Sequence, residues 1–405
     1  MDQLKSGIGA INRRILYGMA VYGEEEKQAV LKSMENRWLA SGPLVKEFEQ
    51  KVSAIFGKKT GMATNSGSSA NLLALRSLNL PAGSEVITPA CTFATTVSEI
   101  LLNNLVPVFV DSVVGRYTIN EDLVEAAITD KTRAILVPQL VGGVSDMVKL
   151  RKIADEHKLV LIDDSCDTIG PKIDGKPLGS YSDISTTSFY GSHIITALGM
   201  GGMLMTDDQN IIKRATVLRD WGRVGNDTEE FDARFNFSID GIPYDSKFLY
   251  DELGYNMKMN EAAAAFGLVQ LNRLPEFSKI RNYNFTTLKS FFSKFEKWFH
   301  IPYLIPGAET NWLAFPLTIK EDAPFKRYDF LKHMESKGIQ TRVLFSGNIT
   351  RHPVYKRQLK HRVSGRLENA DHIMAAGLLL GCHNGLTPSD VDYIIQSATG
   401  FLEKF

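Results

Sequence analysis

Three cysteines, Cys91, Cys166 and Cys382, are all that the 405 residues contain. They are too few and too far apart for a disulfide framework or a close-spaced metal motif, so they read as small buried hydrophobes and no metal site is expected. An excess of one charge is also missing: 46 Lys and Arg balance 46 Asp and Glu. With no basic block, the chain has no electrostatic footprint for nucleic acid or for an acidic membrane surface. No apolar run approaches the roughly 18 residues of a membrane-spanning helix. The start, Met1-Asp2-Gln3-Leu4-Lys5-Ser6, has no secretory apolar segment. The expectation is a cytoplasmic protein whose partners are small molecules.

What is present is ordinary globular composition, 44% hydrophobic and 23% charged. A single core stops growing at roughly 250 to 300 residues, so two domains are expected. The change in periodicity near Leu274 places an amino-terminal arm and large domain at residues 1–274 and a smaller domain at residues 275–405. In the first part, Glu85-Val86-Ile87-Thr88, Val106-Pro107-Val108-Phe109-Val110-Asp111, Arg133-Ala134-Ile135-Leu136-Val137-Pro138 and Leu159-Val160-Leu161-Ile162-Asp163-Asp164 are short, apolar and β-branched, with helical stretches between them. Such runs suit strands buried on both faces of a mostly parallel α/β sheet. Ligands of such sheets sit beyond the carboxyl ends of the strands, which draws attention to Asp163, Asp164 and the residues after them. Residues 222–250 form a polar stretch too long for a plain connection and read as a functional lid or a subunit-contact loop. Beyond it, Trp312-Leu313-Ala314-Phe315-Pro316-Leu317-Thr318-Ile319 and several helical stretches suggest an α+β unit.

Four stretches carry chemistry. Asn65-Ser66-Gly67-Ser68-Ser69-Ala70-Asn71 is a small-residue turn feeding a helix; it suits a phosphate at the positive helix end, and equally a plain helix cap. Asp163-Asp164-Ser165-Cys166-Asp167 ends a buried strand, where a carboxylate can pair with a protonated ring nitrogen or satisfy backbone groups. Ser188-Phe189-Tyr190-Gly191-Ser192-His193 follows a strand and precedes the glycines Gly199, Gly201 and Gly202, which allow a ligand to approach the backbone. Gly254-Tyr255-Asn256-Met257-Lys258-Met259-Asn260, on its own, reads as the capped start of an alanine-rich helix; within it, Leu253-Gly254-Tyr255-Asn256 forms a motif with the residue before.

Taken together and in this order, with Arg219-Asp220-Trp221-Gly222-Arg223 and Leu344-Phe345-Ser346-Gly347-Asn348-Ile349-Thr350-Arg351, these stretches resemble the DegT/DnrJ/EryC1/StrS family of pyridoxal-phosphate (PLP) sugar enzymes from about Asn36 onward. The resemblance implies the fold-type I, aspartate aminotransferase-like architecture and a homodimer with shared active sites. It is greatest to the 3-dehydratases of nucleotide-linked 4-keto-6-deoxyhexoses, because His193 stands where other members carry the Schiff-base lysine. By resemblance, Gly67, Ser68 and Ser188 hold the cofactor phosphate, with Asn256 reaching in from a partner subunit. Phe93 stacks on the ring, Asp164 pairs with its nitrogen, Asp167 lies near its hydroxyl, and His193 is the catalytic base. Lys247, Asn348 and Arg351 fall in stretches that approach the sugar nucleotide or the carboxylate of the amino donor.

The exchange of lysine for histidine has a chemical consequence. An amine both tethers the cofactor and moves protons, whereas an imidazole does only the second. The implied reaction is therefore removal of the C3 hydroxyl, with the pyridoxamine form (PMP) regenerated by L-glutamate and ammonia released. Some relatives hold an iron–sulfur cluster on cysteines after the Arg-Asp-Trp-Gly motif; Val224 to Tyr250 contains no cysteine, so that variant is not expected. Two other functions fit the same residues: an aminotransferase using histidine as base, and a silent protein that binds a sugar nucleotide. Gly191-Ser192-His193-Ile194 and Cys382-His383-Asn384 depart from the dehydratase pattern, which leaves the nucleotide and the hexose open.

Overall fold

The structure, a computed structural model, describes residues 14–225, 229–358 and 360–405. Seven strands of the first part, β1 (Thr60–Thr64), β2 (Glu85–Pro89), β3 (Val106–Val110), β4 (Thr132–Pro138), β5 (Val160–Ser165), β6 (Ile184–Ser188) and β7 (Gly202–Thr206), lie in the order β1-β7-β6-β5-β4-β2-β3. An eighth, Arg362–Val363, joins the β3 edge from the carboxyl-terminal part. Only β7 runs against its neighbours; the other pairs are parallel. The expected mixed, mostly parallel α/β sheet is the one observed.

Alternation along each strand builds two cores, because successive side chains leave opposite faces. Ile135 and Val137 of β4 join Ile87, Val108 and Leu161 on one side. Ala134 and Leu136 join Val86, Ile162 and Leu204 on the other. Both faces are covered by helices, as a parallel sheet requires. The helices that matter for the site are α1 (Glu24–Glu35), α2 (Pro43–Ile55), α3 (Gly67–Ser77), α4 (Ala94–Leu102), α5 (Met147–Glu156), α6 (Gln209–Arg219) and the long α7 (Glu261–Ser293).

A second, antiparallel sheet orders Phe299–His300, Phe315–Ile319, Gly377–Leu380 and Arg342–Val343. It packs with helices Arg327–Ser336 and Pro388–Leu402 around Phe292, Phe315, Phe330, Leu378 and Ile394. Leu274 and Pro275 lie inside α7, so at the expected boundary the two parts are joined by a continuous helix. The arm before α1 runs along the second sheet's side: Ile15 donates its amide to Gly338 O at 2.9 Å, and Gln340 donates back to Ile15 O at 2.9 Å. The polar stretch after Trp221 holds a one-turn helix, Phe231–Arg234, and a short hairpin of Ser238–Ile239 with Ile242–Pro243. No helix of the described residues is long and apolar enough to cross a membrane.

Candidate active site

A cavity of about 640 Å³ opens beyond the carboxyl ends of β4, β5 and β6, against the amino ends of α3 and α4. Gly67, Ser68, Phe93, Asp164, Asp167, Ser188 and His193 all line it. The topology brings them together because strand ends and helix starts meet on the same edge of a parallel sheet.

The start of α3 forms one wall of the cavity. Ser66 is its cap: the hydroxyl takes the Ser69 amide at 3.1 Å and the carbonyl takes the Ala70 amide at 3.1 Å. The amides of Gly67 and Ser68 are then the first-turn donors that face the cavity, at the positive end of the helix. Of the two readings of this stretch, the helix cap is the one observed, at Ser66. Ser68 Oγ donates to Thr95 Oγ1 at 2.9 Å, which ties this turn to the start of α4.

Asp164 sits at the end of β5 as an oriented acceptor. Its Oδ2 takes Asn71 Nδ2 and Thr96 Oγ1, both at 2.9 Å, and its Oδ1 takes the Cys166 amide at 3.2 Å. Thr186 Oγ1 donates to Asn71 Oδ1 at 2.6 Å, so the amide of Asn71 is fixed in orientation. Thr96 lies one turn beyond Phe93, whose ring is 49% exposed in the cavity and meets Phe345 edge-on at 5.8 Å. Asp167 accepts the Val141 amide at 2.8 Å. Burial, opposed by that amide and reinforced by the charge of Asp164, pushes its carboxyl up to about 7. Val141, whose amide makes that bond, holds φ at +60°, rare for a β-branched residue.

His193 follows β6 on a turn closed by its own amide to Tyr190 O at 3.0 Å. Its Nδ1 lies 3.4 Å from Ser188 O. A carbonyl only accepts, so Nδ1 carries the proton and Nε2 keeps its lone pair. Burial, partly opposed by that carbonyl and reinforced by Arg281, pushes the imidazole down to about 4, leaving it neutral at ordinary pH. No lysine lines the cavity among the described residues.

Other expected contacts lie outside this cavity. Asn256 is exposed and forms a backbone bridge with Asp220. Lys247 pairs with Glu229. Asn348 Nδ2 donates to Asp371 Oδ1 at 2.6 Å, and Arg351 forms a two-pronged pair with the same carboxylate. Of the cysteines, Cys91 and Cys382 are buried as expected, whereas Cys166 is partly open in the cavity wall. Asn71, Thr96, Gln139 and Tyr17 also line the cavity, with no role expected of them from the sequence. Asn71 and Thr96 could have been found: they stand four and three residues after Gly67 and Phe93, on the same helix faces. Tyr17 had no local signal.

The family model for the DegT/DnrJ/EryC1/StrS aminotransferase family matches residues 21–399. The chain is 37% identical over 395 residues to the lipopolysaccharide biosynthesis protein RfbH of Salmonella typhimurium, covering 94% of this chain and 90% of that protein. It is 35% identical over 402 residues to a dTDP-4-dehydro-2,6-dideoxy-D-glucose 3-dehydratase of Saccharopolyspora spinosa, covering 95% and 86%. A solved GDP-4-keto-6-deoxymannose-3-dehydratase with a trapped PLP-glutamate geminal diamine superimposes with a TM-score of 0.85 at 26% identity, over 95% of this chain and 100% of that one. The match therefore begins upstream of Asn36, where the motifs first suggested it, and takes in α1. With its sheet order, its cavity and these similarities, the chain belongs to the DegT/DnrJ/EryC1/StrS aminotransferase family.

Proposed function

We propose that this enzyme is a PLP/PMP-dependent 3-dehydratase of a nucleotide-linked 4-keto-6-deoxyhexose. One observation carries the reading: among the described residues the cavity presents His193, and no lysine, where a tethering amine would be needed. The donor set fits pyridoxal phosphate. The amides of Gly67 and Ser68, with the hydroxyls of Ser68 and Ser188, suit its phosphate. Asp164, held as an acceptor by Asn71 and Thr96, suits a protonated ring nitrogen, and Phe93 supplies a flat apolar face. Asp167 is the group for the ring hydroxyl.

When bound, the cofactor supplies a transferable amino group and an electron sink. The protein supplies the rest. Asp164 fixes the ring's charge, and Asp167 shares a proton at the ring oxygen. His193 Nε2, unprotonated, takes a proton at the cofactor C4′ carbon and passes it to the departing oxygen at sugar C3. The net reaction turns the 4-keto sugar and L-glutamate into a 3-deoxy-4-keto sugar, 2-oxoglutarate and ammonia, a balance that needs no outside reductant. Deoxysugar synthesis for a surface polysaccharide such as lipopolysaccharide O-antigen is the setting we infer.

On this reading Lys247, Asn348 and Arg351 approach the sugar nucleotide or the donor carboxylate, and Asn256 completes the phosphate site of a second subunit in a homodimer. Tyr190, Leu198 and Met200, near His193 in sequence, are large exposed apolar groups that a second copy would cover. The test is borohydride reduction of the PLP-loaded protein followed by peptide mass analysis. Wild type is expected to carry no covalent cofactor, and His193→Lys to carry it at residue 193. A reduced adduct on a lysine of the wild-type protein would count against the reading.

A further inference from the structure

Among the described residues Arg281 is the largest fully buried side chain, at 0% exposure, and it projects from α7 between the two parts of the molecule. Its guanidinium donors are aimed at neutral acceptors. Nε donates to Asn384 Oδ1 at 3.0 Å, and Nη1 to the carbonyls of Trp312 and Leu313, both at 3.1 Å. Nη2 reaches the carbonyl of His193 at 3.4 Å. From Leu313 the chain of bonds continues into the site: its amide donates to Val141 O at 2.9 Å, and the Val141 amide donates to Asp167 at 2.8 Å. We propose that Arg281 is the positioning residue of this site, a single guanidinium that holds the backbone of His193 on one side and, through Leu313 and Val141, the carboxylate of Asp167 on the other.

The inference rests on the reading of His193 as the base. A buried charge without a carboxylate partner is costly, and protein interiors rarely keep one without a compensating role. Here the fork geometry of arginine matches several carbonyls at once, which a lysine ammonium on a flexible stem does not reproduce. The charge also acts through space, since a cation beside an imidazole disfavours the imidazolium. Among the described residues, Arg281 from α7 reaches the His193 carbonyl, Tyr190 of its own turn meets its ring edge-on, and Tyr17 from the arm and Asp164, Cys166 and Asp167 at and beyond the end of β5 line the same cavity. Arg281 is the cation among them. It reinforces the downward shift that burial imposes on His193 and on His383, near Asn384.

The experiment is an NMR titration of histidine Cε1 signals in the PLP-loaded protein, with His193 assigned by its loss in His193→Gln. In Arg281→Gln the midpoint of the His193 signal is expected to rise by about one pH unit, because the neighbouring charge is gone. In Arg281→Lys the charge remains and the midpoint is expected to stay, while the loss of the fork lowers kcat about tenfold with the KM for glutamate unchanged. An unmoved His193 midpoint in Arg281→Gln overturns the proposal. If that variant does not fold, Arg281→Lys decides: a wild-type midpoint with reduced kcat supports the proposal, and a risen midpoint or an unchanged kcat overturns it. Because the titration needs no turnover, a protein inactive on every 4-keto sugar but showing these shifts refutes the dehydratase reading and leaves the role of Arg281 standing.

Discussion

Gly67 offers the sharpest test of the proposed phosphate site. A methyl added there would lie 2.7 Å from Cys166 Sγ and 2.7 Å from Ser188 Cβ, with Ser188 Oγ at 3.2 Å. Ordinary contacts between such atoms begin near roughly 3.5 Å, so something must move by most of an ångström. Neither neighbour is the end of a long flexible side chain: Ser188 closes β6, and Cys166 directly follows β5. Both are anchored in the sheet, so the first turn of α3 must give way. Overpacking of this kind costs about 1–3 kcal/mol. It also displaces the two amides that face the cavity, and each 1.4 kcal/mol lost in binding is about tenfold in affinity. Gly67→Ala is therefore expected to weaken PLP binding by roughly ten- to a hundredfold and to lower thermal stability, measured by absorbance titration and calorimetry. Adding Cys166→Ala removes the sulfur and is expected to recover part of the affinity. Wild-type affinity in Gly67→Ala would refute the assignment of this turn to the phosphate.

On the proposed reading, replacing Asp164 by Asn removes the charge that would pair with the ring nitrogen while sparing the shape. It is expected to lower turnover at least a hundredfold, with only a modest change in PLP affinity. Asp167 gives a pH signature. Its carboxyl rises from 3.8 unfolded to about 7 folded, so the folded state favours the neutral acid. That contribution is complete below the unfolded value and is lost as pH climbs toward about 7, so Asp167→Asn is expected to raise the Tm of the cofactor-free protein more at about pH 8 than at about pH 5. A gain independent of pH would contradict the burial argument. His193 shifts the other way, and the acid limb of turnover that it would set as the proposed base is expected well below the ordinary histidine range; a limb centred near about 6.5 would mean that the imidazole is not held neutral. Arg351→Ala leaves Asp371 held by Asn348 alone, and on the proposed reading the KM for the sugar nucleotide is expected to rise with PLP affinity unchanged; an unchanged KM would place this segment outside the substrate site.

The strands and the cavity were legible in the sequence because they depend on local patterning. The β-branched apolar runs ending at Thr88, Asp111, Pro138 and Asp164 became β2 to β5 within a residue or two at each end. Placing Asp164 at a carboxyl strand end then located the cavity. Less local features were not legible. The helix that joins the two parts was one of them: α7 runs on through Leu274 and Pro275, although proline cannot donate a helical amide. The contacts that orient the acid groups span long distances in sequence: Asn71 meets Asp164 across 93 residues, and Arg281 meets His193 across 88. No periodicity within a window announces such a pair. Tyr17 reaches the cavity only because the arm pairs with Ile339, on the far side of the chain.

The measurement that bears most directly on the central claim is turnover of nucleotide-linked 4-keto-6-deoxyhexoses with the PLP-loaded protein and L-glutamate, with ammonia, 2-oxoglutarate and product mass recorded together. The account predicts equal amounts of ammonia and 2-oxoglutarate and a keto sugar lighter by one oxygen. A stable amino sugar formed without ammonia would contradict it and make His193 the base of a transaminase.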